Sequence, residues 1–182
     1  FSAVIISVCM LCGFSAIVAY GWSVASKKQT LGQREAAGLI KEWMIRSKET
    51  LETDTDRFPE LLKQAEEMAT NNNDPATTAL LHSMIAEMYQ HYYDQHRWRI
   101  DQRTPLTGYV PTDLREWSRN LFEEKIAEEL SASLQPADTL QVTPTRTYQA
   151  LLTLGDDSPT LRPTLFEFLA YRALEIQPST AI

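Results

Sequence analysis

The residues to weigh first for chemistry are the three histidines, His82, His91 and His96, because imidazole can bind metals and move protons. All three fall in one stretch where Leu81, Met84, Ile85, Met88, Tyr89 and Tyr92 recur at helical spacing. A helix turns ~100° and rises ~1.5 Å per residue. His82 and His91 then face opposite ways, while His82 and His96 share a face but stand ~21 Å apart. One helix cannot bring them onto one metal, and no H-E-x-x-H pattern is present. Polar contacts at helix edges are the expected role.

Other chemistries lack their parts as well. There is no G-x-S-x-G elbow, and the side chains of His82 and Ser83 diverge by ~100° on a helix. The carboxylate pairs Glu123–Glu124 and Asp156–Asp157 are adjacent and expected to be solvated, with nothing to separate their pKa values for acid–base work. Gly155-Asp156-Asp157-Ser158 lacks the ligand series of a calcium loop and reads as a turn. No glycine-rich phosphate loop is present. Both cysteines, Cys9 and Cys12, sit in an apolar leader without polar partners. No catalytic residue, metal site or cofactor is expected, and the chain reads as a non-enzyme.

His96-Arg97-Trp98-Arg99-Ile100-Asp101-Gln102-Arg103 has the cation-and-aromatic look of a nucleic-acid patch. The net charge of −7 argues against a polyanionic partner, so none is expected. Cations there also complement the negative end of a helix dipole. Tyr92, Arg97, Trp98, Arg99 and Trp117 are therefore candidates either for recognition or for the core. Packing is favoured: Tyr92 continues the Met84–Met88 stripe, and Trp117 opens the next helix just beyond the connecting loop. On that view Trp98 covers a neighbouring helix end, and Trp98→Ala should cost ~3–5 kcal/mol.

The elements that would position these residues are all helices. Ala, Leu, Glu, Gln and Arg are common and Gly is scarce. A first helix is expected from about Leu31 to Leu51, with an apolar stripe of Leu39, Ile40, Trp43 and Met44. Pro59 helps start a second, with Phe58, Leu61, Leu62, Ala65, Met68 and Ala69 buried. Asp74 caps a third, with Pro75 at its first position, running to about Gln102. Beyond a loop over Thr104–Pro111, Asp113 and Glu116 form a capping box for a fourth helix. Its inner face would be Leu114, Trp117, Leu121, Ile126, Leu130 and Leu134. Arg119, Glu123, Glu124, Lys125, Glu128 and Glu129 would mark its solvated face. Gln135–Pro144 reads as a second loop, Tyr148–Leu152 as a short helix, and Pro163–Ile176 as the last helix. The expected fold is all-α: an antiparallel bundle or short helical solenoid of five to six helices behind an apolar leader helix.

Residues 1–26 carry no Asp, Glu, Lys or Arg. They read as a signal peptide, cut after Gly21 or Ala25, or as an uncleaved membrane anchor followed by Lys27 and Lys28. The first residue is Phe, so the sequence is expected to begin inside a longer reading frame. Residues 27–182 would form the helical domain, exported to the periplasm or cell envelope. Membrane contact would come only through residues 1–26.

Five segments in order are similar to the N-terminal helical region of bacterial alpha-2-macroglobulin-like envelope proteins. They are Asp56–Pro75, Ala79–Thr104, Asp113–Leu130, Thr143–Ser158 and Arg162–Leu174. The most specific are the stretch with His82, Tyr92, Arg97 and Trp98, and the stretch Asp113–Phe122 with Trp117. The resemblance implies a large exported protein of a protease-trapping family built largely of β-sandwich domains, some with a cysteine thioester. No cysteine follows Cys12, and no functional residue of the family carries over. The implied role is a non-catalytic interaction or scaffold module. Its partners would be other domains of a longer chain, or proteases. The alternative is a stand-alone periplasmic adaptor binding peptides or partner proteins.

Overall fold

A computed structural model describes residues 32–104, 108–152 and 161–176. The leader with both its readings, the Gly155–Pro159 turn, and parts of the Thr104–Pro111 loop lie outside the described residues.

Among the described residues, six helices account for nearly all the regular structure: α1 (32–53), α2 (Phe58–Asn71), α3 (Pro75–Ile100), α4 (Arg119–Ser133), α5 (Ala137–Val142) and α6 (Leu165–Ile176). Among the described residues there is no strand, only a single antiparallel bridge between Pro144 and Thr164. The fold is all-α. None of the described helices is long and apolar enough to cross a membrane.

The starts of the elements follow from capping. The Asp74 side chain accepts the Thr77 N–H, and Pro75 occupies the first turn of α3, where its missing donor costs nothing. Gly108, at φ +76°, supplies the left-handed residue after α3. Helices α1, α2, α3 and α4 run alternately up and down. Gln33 at the start of α1 donates to Asp74 at the start of α3, and Trp43 Nε1 donates to Gln64 of α2. Helices α1 and α3 are thus parallel to each other, with α2 antiparallel to both.

Helix α3 is the axis of the domain, and its most extensive partner is α4. It is buried on several sides, so Ala79, Leu80, Leu81, Ile85, Ala86, Tyr89, Tyr92 and Tyr93 do not form one narrow stripe. Two cores meet along it. The larger joins α2, α3 and α4 around Leu62, Ile85, Tyr92, Phe122 and Ile126. The smaller packs Ala76, Ala79 and Leu80 against Leu140 of α5, Tyr148, and Leu165 and Leu169 of α6.

Several expectations are corrected. Asp113 caps a 3-10 turn, Leu114–Glu116, rather than the fourth helix, and its side chain accepts from the Arg115 N–H. Trp117 and Ser118 are extended, and α4 starts at Arg119. Ile126 and Leu130 are buried as expected, but Phe122, Glu129 and Ser133 complete the buried stripe rather than Leu121. Glu129, expected on the solvated face, is only 5% exposed. The presumed loop Gln135–Pro144 contains α5, drawn in by the fully buried Leu140. The helix expected over Tyr148–Leu152 gives way to a 3-10 turn, Thr145–Tyr148. On α1, Leu39 is 68% exposed and Met44 is exposed too. Ile40 is buried as expected, and the rest of the buried line is Gln33, Ala37 and Ser47, small or polar residues that a hydrophobicity pattern does not show.

Candidate functional site

Polar side chains gather inside the fold at two places. In the first, His82 of α3 meets Glu129 of α4, with Nδ1 2.6 Å from Oε2, while Lys125 Nζ lies 2.8 Å from Oε1. The carboxylate accepts from both, which places a proton on His82 Nδ1. Burial pushes the Glu129 carboxyl up, but the hydrogen bonds from His82 and Lys125 outweigh it and hold the carboxyl below its ordinary value. The Lys125 ammonium is correspondingly held up by Glu129 against its own burial. Each group is spent on another, as in a cross-link between helices. In the second, the Asp74 carboxylate accepts from Thr77, Gln33 and Tyr148. Burial raises the Tyr148 phenol, and the adjacent Asp74 charge adds to the effect. No cluster of three His, Cys, Asp or Glu that could hold a metal is found among the described residues.

A groove of about 810 Å³ between α1 and α3 has room for another molecule. Its apolar lining comes from Trp43 and Leu51 of α1, Phe58 of α2, and Met84, Met88 and Tyr92 of α3. Met44 stands at its rim, 40% exposed. Thioether side chains adapt to varied apolar shapes, which suits a surface that receives another chain. At the end where α1 and α3 terminate, the lining turns polar. His96 and Arg99 stand on the α3 wall, and Glu52 of α1, Asp56 and Arg115 also line the groove. Burial first, then Arg99 and Arg103, push the His96 pKa down, favouring the neutral ring. Neither this groove nor the smaller cavity between α1, α3 and α6 is lined by His82, Glu129 or Lys125.

The five candidate residues are divided by the structure. Tyr92 is buried and stacks on Phe122, with ring centroids 5.8 Å apart, while still touching the groove. Trp117 stacks on Tyr89 at 5.6 Å and donates from Nε1 to Pro111 O, so it serves the core. Arg99 lines the groove. Arg97 is exposed, 3.5 Å from Asp101, and does not join them. Trp98 overturns the packing expectation, because it is 79% exposed. The core face at this end of α3 is set by the fully buried Ile100, and Trp98, two residues earlier, points ~160° away from it. Trp98→Ala should therefore leave stability within ~0.5 kcal/mol of the parent. A urea midpoint that falls by an amount typical of a core aromatic would contradict this exposure.

The groove itself was not visible in the sequence. Met84, Met88 and Tyr92 read there as a core stripe, and among the described residues the placement of α1 leaves part of that stripe uncovered. The chain matches no protein-family model, no curated protein and no solved structure.

Proposed function

We propose that this chain is a non-catalytic helical binding module whose groove between α1 and α3 receives an apolar helical segment of a protein partner. The observation that carries this reading is the groove: an open apolar channel bordered by two parallel helices, with Met and aromatic side chains along it. Apolar grooves of this kind take the apolar face of an amphipathic helix through anchors at i, i+3, i+4 and i+7. The saturated polar clusters support the non-catalytic part of the reading, since His82, Glu129 and Lys125 are committed to one another. The sequence resemblance supports an exported alpha-2-macroglobulin-like protein of the cell envelope as the setting. A stand-alone periplasmic adaptor is the second reading, favoured by the same groove.

The test is selection of 16-residue helical peptides from a displayed random library on the full chain. Recovered peptides should carry the i, i+3, i+4, i+7 apolar pattern. They should bind Met44→Glu at least tenfold more weakly, while the melting temperature of that variant stays near the parent value. Met44 is chosen because it is exposed at the rim, so a charge there should not disturb the core. Failure to recover any peptide sensitive to Met44→Glu would overturn the proposal.

A further inference from the structure

We infer that the partner segment is a helix of about four turns that enters antiparallel to α1 and α3, with an acidic residue in its first turn meeting Arg99. The inference rests on the groove being a binding site and adds its direction and charge. Three observations support it. The α3 wall of the groove runs from Met84 to Arg99. At ~1.5 Å per residue that is ~22 Å, the length of a helix of about 15 residues.

Direction comes from the neighbours. Gln33 bonds to Asp74, so α1 and α3 start at the same end, and both terminate at the end that holds Arg99. Successive helices α1 to α4 alternate in direction, so a helix filling the gap between two parallel neighbours continues the pattern only by running opposite to both. Its N-terminus then lies at the Arg99 end. That is the turn where Asp and Glu are favoured by the partner helix's own dipole.

Charge agrees with this placement. Arg99 has no carboxylate within salt-bridge distance among the described residues, whereas Arg115 is held by Asp113 and Arg97 by Asp101. Glu52 of α1 and Asp56 also line the groove, and neither forms an ion pair with Arg99 among the described residues. An incoming carboxylate on the α3 side would give Arg99 a partner, and a cation there would be repelled.

The experiment repeats the library selection on the full chain and on Arg99→Glu, then places a benzophenone at the first residue of the tightest peptide. The expected result is Asp or Glu enriched in the first turn on the parent chain and Lys or Arg enriched there on Arg99→Glu. Acid-headed peptides should lose at least tenfold in affinity on the variant, and cross-links should map near Glu52 and Arg99. Three results would overturn the inference while leaving the groove reading intact: Met44-dependent peptides without first-turn acids, an unchanged preference on Arg99→Glu, or cross-links near Met84. No Met44-dependent peptide at all would remove both. Self-association of the chain that competes with every peptide would assign the groove to a second copy and overturn the inference.

Discussion

Phe122→Ala is expected to lower the free energy of unfolding by ~3–5 kcal/mol, the range for truncating a buried aromatic. Phe122 is fully buried where α4 meets α3. Its ring centroid lies 5.4 Å from Trp117, 5.8 Å from Tyr92, 5.9 Å from Tyr93 and 6.4 Å from Tyr89. Alanine would leave a cavity ringed by four large aromatics. Tyr89 and Tyr93 are further tied by hydrogen bonds to Glu66 and Asp101, so they cannot collapse freely into the space. Cavities that cannot collapse lie at the costly end of the range. A domain of this size has only ~5–15 kcal/mol in total, so the variant would stand near the edge of folding. Phe122→Leu retains much of the volume and should cost ~1–2 kcal/mol. Urea unfolding of both variants provides the check. A Phe122→Ala midpoint equal to that of Phe122→Leu would mean that the volume leucine retains contributes nothing, which contradicts the cavity argument.

The same residue shows how far the sequence carries. Helix α3 was legible because Asp74, Pro75 and the long periodic run agree with each other, and its cap forms as expected. Glu129 was misplaced, and Phe122 was left out of the inner face, for one reason. Starting the fourth helix at Asp113 assigned inward positions through Leu114, Trp117 and Leu121, whereas the chain is extended at Trp117 and Ser118 and restarts at Arg119. The true stripe, Phe122, Ile126, Glu129, Leu130 and Ser133, has regular helical spacing. A carboxylate and a hydroxyl in it look solvated to any rule that scores hydrophobicity alone. Only a partner from another element, His82 for Glu129, makes the burial tolerable, and that pairing spans 47 residues of sequence. The groove escaped for the complementary reason. A strip of apolar residues on α3 cannot show from sequence alone that no helix among the described residues covers one edge of it.

Asp74→Ala should be the next most damaging change, at ~2–4 kcal/mol, because it removes a helix cap and a set of charge-assisted bonds together. Oδ2 accepts the Thr77 N–H at 2.8 Å, the Thr77 hydroxyl at 2.7 Å and the Tyr148 hydroxyl at 2.9 Å. Oδ1 accepts Gln33 Nε2 at 3.0 Å. One carboxylate therefore joins α1, α3 and the Thr145–Tyr148 turn, and removing it leaves the hydroxyls of the buried Thr77 and Tyr148, 2.9 Å apart, with only each other as partners. Asp74→Asn keeps a capping oxygen but not the charge, and should cost ~1–2 kcal/mol. Burial pushes the Asp74 carboxyl up, yet the bonds from Thr77, Gln33 and Tyr148 together bring it below its ordinary value of 3.8. A carboxyl depressed in the folded state adds stability that is fully present above the unfolded pKa and lost as pH falls through the folded one. The stability gap between the parent and Asp74→Asn should accordingly be constant from pH 7 to about 5 and shrink below that. Taking the difference cancels the similar acid sensitivity expected from Glu129, whose carboxyl is also held down. Urea titrations of both proteins at several pH values between 7 and 3 measure it. A gap that stays the same down to pH 3 would show that Asp74 is bound no more tightly as a carboxylate than it would be in the unfolded chain, and the junction would then owe its strength to shape rather than charge.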